Sequence, residues 1–348
     1  TYNGNYGLNA QWTVYNGSKR LKTIEQEKLN NRVADLDVAT SENDIEQSIA
    51  QVYIQILYAA ESVKVNENTL QVSEAQRDRG KQLLDAGSIA RSDYAQLEAQ
   101  VSTDRYQLVT AQATLQDYKL QLKQLLELDG EQEMQVYLPA LGDENVLSPL
   151  PTKTDVFRSA VALRPEIEAS KLSVEASELG IRIAKSGYLP SVSLTAGIGT
   201  NHTSGSDFTF GEQVKNGWNN SIGLSISVPI FNNRQTKSAV EKAKLQYQTS
   251  QLTLLDEQKT LYKTIEGLWL DANSAQQRYA AAIEKLHSTQ TSYELVSEQF
   301  NAGMKNTVEL LTEKNNLLQA QQELLQSKYM AILNTQLLKF YQGDKITL

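Results

Sequence analysis

Two carboxylates stand at matching distances behind two glycines. Asp93 lies six positions after Gly87, and Glu309 six positions after Gly303. Both fall where a helix restarts after a glycine stop. A first-turn carboxylate there interacts favourably with the positive end of the helix dipole, which is the simplest chemistry either can have. The rest of the chain offers little for catalysis. His202 and His287 are its two histidines, far apart in sequence, and it has no cysteine. No HExxH, phosphate-loop or GxGxxG arrangement occurs. No catalytic residue, metal site or cofactor is expected, and the chain does not read as an enzyme.

The glycines punctuate very long helical stretches. From Asn233 to Ala302 there is no proline and one glycine, Gly267. At 1.5 Å per residue such a helix runs ~100 Å, more than a compact globule can hold. Just ahead of it Ile222, Leu224, Ile226 and Val228 alternate with Gly223, Ser225 and Ser227. That is the period of a strand with one apolar and one small polar face. The pattern also occurs 216 positions earlier. Tyr6–Asn16 falls on Ile222–Asn232, and Asp85-Ala86-Gly87 on Asn301-Ala302-Gly303. The ladder Ile45, Ile49, Val52, Ile56 falls on Leu261, Ile265, Leu268, Ala272. The offset is constant, so the unit is a duplicated domain rather than a solenoid.

The first repeat occupies 1–128, with a strand at 2–15, a long helix at 18–85, a turn near 87 and a helix at 93–127. Asp129-Gly130 closes that helix. Residues 129–153, with Pro139, Gly142, Pro149 and Pro151, form an irregular connector. The second repeat occupies 154–348. It holds a helix at 155–185, interrupted where Pro165 suits the first turn of a new helix. Strands at 190–200 and 218–228 flank a polar loop. A long helix at 233–300, a turn near 303 and a helix at 307–340 complete it. The first repeat lacks partners for helix 155–185 and strand 190–200, which implies about sixty further residues ahead of Thr1. In helix 93–127 the apolar steps of three and four are those of coiled-coil packing. Asp104 sits on the same stripe, where water or a lumen would accommodate it.

The chain has 348 residues and a net charge of −8, with both signs interspersed. That argues against nucleic acid, which requires a basic face. The lack of cysteine is compatible with an oxidising compartment such as the periplasm. No apolar run reaches the roughly 18 residues of a membrane-spanning helix. The strands could pack one face in a soluble sandwich. Their small polar face instead suits a water-filled barrel with lipid outside. Tyr6, Trp12, Tyr188 and Trp218 lie toward strand ends, where membrane-interface aromatics sit. Three strands cannot close a barrel, and open edges cannot lie in lipid, so several chains would pool strands.

The segment Leu189-Pro190-Ser191-Val192-Ser193-Leu194, the strand Gly223–Phe231 and Arg164-Pro165-Glu166-Ile167 resemble the TolC-type outer-membrane efflux proteins. So do the turns Ala86–Asp93 and Ala302–Leu311. The resemblance covers nearly the whole chain. It implies a mainly α fold with a small β part, assembled as a homotrimer. Long antiparallel helices would form an α-barrel in the periplasm, joined to a shared twelve-stranded β-barrel in the outer membrane. Residues 126–175 and the C-terminal end would girdle the helices. The implied function is a passive exit duct of a tripartite efflux or secretion system, gated at the periplasmic tip. Its partners would be outer-membrane lipid, a periplasmic adaptor and an inner-membrane pump. The alternative is a soluble or peripheral periplasmic coiled-coil adaptor, which explains the helices but not the attached strands.

Carried over by position, the family's constricting acids fall on Glu309 and on Thr312, which is not acidic. Glu313 is a substitute about 100° away on the helix. The basic gate position falls on Lys305, the aromatic on Phe300, and the polar partner of the basic residue on Asp93. A carboxylate ring repeated by symmetry would favour cations. Glu309 can be read as such a ring or as a first-turn acid; for Asp93 the first-turn reading is the stronger.

Overall fold

The structure is a computed structural model describing residues 2–128, 134–139, 142 and 146–346. In order it runs β1 (Asn3–Asn16), α1 (Lys19–Asp85), α2 (Arg91–Leu125), α3 (Lys153–Leu163) and α4 (Pro165–Lys185). After a 3-10 turn at Ser186–Tyr188 come β2 (Ser191–Thr203), α5 (Phe210–Asn216) and β3 (Asn219–Ser227). The chain finishes with α6 (Gln235–Asn301) and α7 (Thr307–Gln342). The fold is mostly helical with one small sheet. The helix stop expected at Asp129-Gly130 lies outside the described residues; α2 ends at Leu125.

α1 and α6 have 67 residues each. Contacts divide the chain into one unit of Thr1–Val38 with Pro165–Gln258 and another of Ala39–Arg164 with Lys259–Leu348. Each unit draws on both halves of the sequence.

The first unit holds an antiparallel sheet in the order β1-β2-β3. Its register stacks like residues. Leu8 lies opposite Ile198, Trp12 opposite Leu194 and Leu194 opposite Leu224. Between these rows Asn9, Gly197 and Ser221 lie together, as do Gln11, Thr195 and Gly223. One face is therefore apolar and the other small and polar, as the period of two dictates. The apolar face is open: Leu8 is 70%, Trp12 59% and Ile222 84% exposed. The alternation of β1 does not run on through Val14. A bulge between Thr13 and Tyr15 leaves Val14 without a partner and sets Tyr15 opposite Val192, because one added residue shifts the pleat.

The polar loop expected between β2 and β3 is partly helical. β2 continues to Thr203, and α5 occupies Phe210–Asn216. The cause is a capping box, in which the Glu212 carboxylate accepts from the Thr209 N–H at 2.9 Å and its hydroxyl at 2.8 Å. The same bonds hold the Glu212 pKa below the ordinary glutamate value. Gln213 fastens α5 to the sheet. Its side-chain oxygen accepts from the Thr203 N–H at 2.9 Å, and its amide donates to the Thr203 carbonyl at 3.2 Å.

The core of the second unit is a set of helix–helix clusters. Ile54 and Leu57 of α1 join Tyr279 of α6 and Ile332 of α7, with Val146 closing the group. The described part of the connector is fastened to α6. The Gln276 amide donates to the carbonyls of Val146 and Ser148, both at 2.8 Å. The Trp269 indole donates to the Pro151 carbonyl at 3.0 Å, and Lys153 pairs with Glu266 at 3.1 Å. α3 starts from a Thr152 cap, and its C-cap Arg164 lays its guanidinium over the rings of Phe340 and Tyr341.

Candidate functional site at the helical turns

Both helix–turn–helix tips belong to the second unit and are built alike. Gly87 and Gly303 adopt φ of 70° and 75°. The Ser88 N–H donates to the Leu83 carbonyl and Gly87 to Leu84; Met304 donates to Gln299 and Gly303 to Phe300. This is the Schellman closure, which needs a left-handed residue and so selects glycine. A Cβ on either glycine would meet nothing within 4 Å, so backbone conformation rather than crowding is the reason.

The restart of α7 fixes Glu309. Asn306 caps the helix, accepting from the Glu309 N–H at 2.9 Å, and Glu309 returns the favour by accepting from the Asn306 N–H at 3.1 Å. Lys305 reaches the other Glu309 oxygen at 2.5 Å. Lys305 beside it and the Asn306 N–H hold the Glu309 carboxyl below its ordinary pKa. The carboxylate remains ionised and partly exposed.

At the first tip Asp93 accepts from the Ala90 N–H at 3.3 Å, the same position in its helix. Among the described residues Asp93 makes no hydrogen bond or ion pair with Lys305, whose charge is turned to Glu309. Phe300 faces inward, 3% exposed, in a cluster with Leu97, Leu310 and Tyr293. Thr312 is exposed, and its hydroxyl donates to the Val308 carbonyl at 2.8 Å. Glu313 accepts from the Ser292 hydroxyl at 2.8 Å and so leans toward α6. The turn thus brings Lys305 and Glu309 together and leaves Glu313 and Asp93 with separate partners.

Above this turn lies a site that sequence reading missed. Asp104 of α2 and Lys314 of α7 form an ion pair, 1% and 3% exposed, joined by the Ser73 hydroxyl of α1. Asp104 faces neither water nor a lumen within the chain. Gln100 donates to its second oxygen at 2.9 Å. Burial lowers the Lys314 pKa, and the bond to Asp104 opposes that shift. One signal was available: Lys314 also interrupts an apolar series, Leu310 to Leu317. Two opposite charges on two apolar stripes ask to be paired.

No metal-binding group of three or more His, Cys, Asp or Glu occurs among the described residues. His202 packs edge-on against Phe210, with ring centres 5.0 Å apart. Among the described residues no helix is long and apolar enough to cross a membrane. Tyr6, Trp12, Tyr188 and Trp218 are all exposed. Trp218 precedes Asn219, which pairs with Gly199 opposite Gly7, so it shares a level with Tyr6 at the loop end of the sheet. Trp12 and Tyr188 lie toward the end where α1 begins.

Comparison with known proteins places this architecture. The family model described as outer membrane efflux protein matches residues 156–343. TolC of Escherichia coli K12 is 25% identical over 340 residues, covering 94% of this chain and 66% of TolC. BepC of Brucella suis, named an outer membrane efflux protein, is 24% identical over 294 residues, covering 84% of this chain and 61% of BepC. The chain thus spans about two thirds of the length of these relatives. Among solved structures, CusC superposes with a TM-score of 0.82 at 19% identity, covering 98% of this chain and 77% of CusC. The outer membrane protein VceC of Vibrio cholerae gives 0.78 at 18%, covering 99% and 80%. At these identities the structures establish a shared fold. With more than half of its length matched by the family model, the chain belongs to the outer membrane efflux protein family.

Proposed function

We propose that the chain forms an outer-membrane exit duct, a passive conduit for export through the outer membrane and periplasm. The observation that carries this reading is the sheet. Its apolar face is open, its edge strands β1 and β3 each lack an outer neighbour among the described residues, and it runs directly into 67-residue helices. Unpaired edges cannot stand in lipid, so the edges call for strands of further copies. A homotrimer with a shared twelve-stranded barrel satisfies them at four strands per copy; the described residues carry three. Tyr6 and Trp12 stand six positions apart, about 20 Å along a strand, within the roughly 9–11 residues that a tilted strand uses to cross a bilayer.

The duplication at an offset of 216 is supported by matching element starts. These are Asn3 and Asn219, Lys19 and Gln235, Arg91 and Thr307. The domain reading is accordingly 1–128 and 154–348 joined by 129–153. The relatives named for efflux or secretion support an assembly with a periplasmic adaptor and an inner-membrane pump. The helical tips are the proposed gate. Glu309 supplies the partly exposed carboxylate and Lys305 its counter-charge, with Thr312 beside them. Phe300 packs the turn, Glu313 ties α7 to α6 through Ser292, and Asp93 caps the start of its own helix. A soluble tether would not leave Leu8, Trp12 and Ile222 open on one face.

The test is the mass of the detergent-extracted protein by light scattering, with conductance in a planar bilayer. A trimer with discrete cation-preferring channels is expected. A species that stays soluble without detergent and does not conduct would leave the tether reading in its place.

A further inference from the structure

Three segments of the strand-bearing unit carry charge of one sign. Residues 16–22, 182–191 and 227–240 hold Lys19, Arg20, Lys22, Arg182, Lys185, Arg234 and Lys237, and no aspartate or glutamate. The chain overall is acidic, with 41 carboxylates against 33 cations, so this is a local reversal. The fold gathers the segments at the end of the sheet where the helices begin. One cleft of about 500 Å³ is lined from all three, including Lys19, Ser186, Gly187, Ser227 and Thr236. Arg182 is paired with Glu178, and Arg20 donates to the Thr13 carbonyl. Lys19, Lys185, Arg234 and Lys237 are exposed and hold no ion pair among the described residues.

The backbone at this level is also unusual. Each strand turns into its long helix through two successive left-handed residues, Gly17-Ser18 and Asn233-Arg234. Arg234 holds φ at 62°, a conformation uncommon for a side chain of its size. Such outliers persist where the surroundings or a function require them. Beside the cations stand exposed apolar residues: Tyr188 and Leu189 on one side, Ile230 and Phe231 on the other, the last two 95% and 84% exposed. A free anion would have no use for that apolar rim. A lipid would, because its phosphate meets the cations while its chains meet the apolar residues.

We propose that this cationic collar at the strand–helix junction binds the phosphates of anionic phospholipid headgroups in the leaflet facing the helices. The inference rests on the reading of the strands as membrane-spanning and adds the lipid class and the residues that hold it. Long cationic side chains at a membrane surface attract anionic lipid within a Debye length, so the collar would also set the depth of the barrel.

The test compares the full-length protein with a variant combining Lys19→Gln, Lys185→Gln, Arg234→Gln and Lys237→Gln. A control combines Lys64→Gln, Lys81→Gln, Lys119→Gln and Lys339→Gln. Each is reconstituted in phosphatidylethanolamine vesicles with a minor share of phosphatidylglycerol. Association of spin-labelled forms of both lipids is then recorded. Wild type and control are expected to prefer phosphatidylglycerol; the collar variant should conduct normally and lose that preference by roughly tenfold or more. An unchanged preference in the conducting collar variant overturns the proposal. So does displacement of the labelled lipid by millimolar inorganic phosphate, which would make the site one for free anions. If the collar variant does not insert, the wild type decides. Its preference should fade between about 0.05 and about 0.5 M salt as screening sets in, and persistence overturns the proposal. A wild type that neither inserts nor conducts overturns the duct reading itself, and the collar with it.

Discussion

Lys314 of α7 and Asp104 of α2 form a charge pair inside the helical packing, each at most 3% exposed, with Ser73 of α1 bonded to both. Three helices from both halves of the sequence therefore meet at one polar point. One helical turn below it on α7, Leu310 packs with Leu97 and Phe300 in an apolar layer, and below that lies the turn at Gly303.

Breaking the pair from one side should be far worse than removing it. Lys314→Met leaves a buried carboxylate without its counter-charge and is expected to lower stability by about 3–5 kcal/mol. The double variant Asp104→Leu with Lys314→Met removes both charges and should recover most of that loss. Unfolding followed by circular dichroism checks it; a double variant as weak as the single one would mean that the charges are not coupled.

Glu309 should control both selectivity and acid sensitivity of the tip. Its pKa is lowered in the fold, so its contribution is present above the ordinary glutamate value of 4.5 and is lost as pH falls through the lowered value. Protection of the Asn306 and Glu309 amides, relative to the intrinsic exchange rate at each pH, is expected to fall below that range in the wild type. In Glu309→Gln that acid dependence should flatten, and cation preference of the reconstituted channel should drop. Unchanged selectivity would remove Glu309 from the pore.

Two glycines with equally open surroundings should respond oppositely to alanine. Gly303→Ala must hold φ near 75° and should cost about 1 kcal/mol. Gly267 lies within α6 with nothing near its missing Cβ, so Gly267→Ala should stabilise by about 0.5–1 kcal/mol. Paired melting curves separate the two effects.

Gln276 holds two carbonyls of the connector at once. Gln276→Leu should lower stability by about 1–3 kcal/mol and open residues 146–151 to limited proteolysis. The digestion pattern of wild type and variant, compared at equal exposure, reports the change.

Much of this fold is legible in the sequence because its rules are local. A strand announces itself by a period of two and a long helix by the absence of proline. The end of a helix shows in a glycine such as Gly87 or Gly303, where only a left-handed residue closes the turn. The first-turn positions of Asp93 and Glu309 are legible because capping involves neighbours three residues apart. α5 was equally local and was overlooked: Thr209 and Glu212 state its start, but the surrounding glycines and serines hid it. The bulge at Val14 left no mark in the alternation.

The remainder depends on which helix faces which. The residue string determined two strand-to-long-helix connections, their turns and an apolar sheet face. Those follow from backbone geometry and side-chain period. Only the tertiary structure decided that Phe300 points inward, that Lys305 meets Glu309 rather than Asp93, and that Asp104 finds Lys314 across 210 positions of chain. Pairing of buried charges is set by the packing of distant helices, and no period along a single helix specifies its partner.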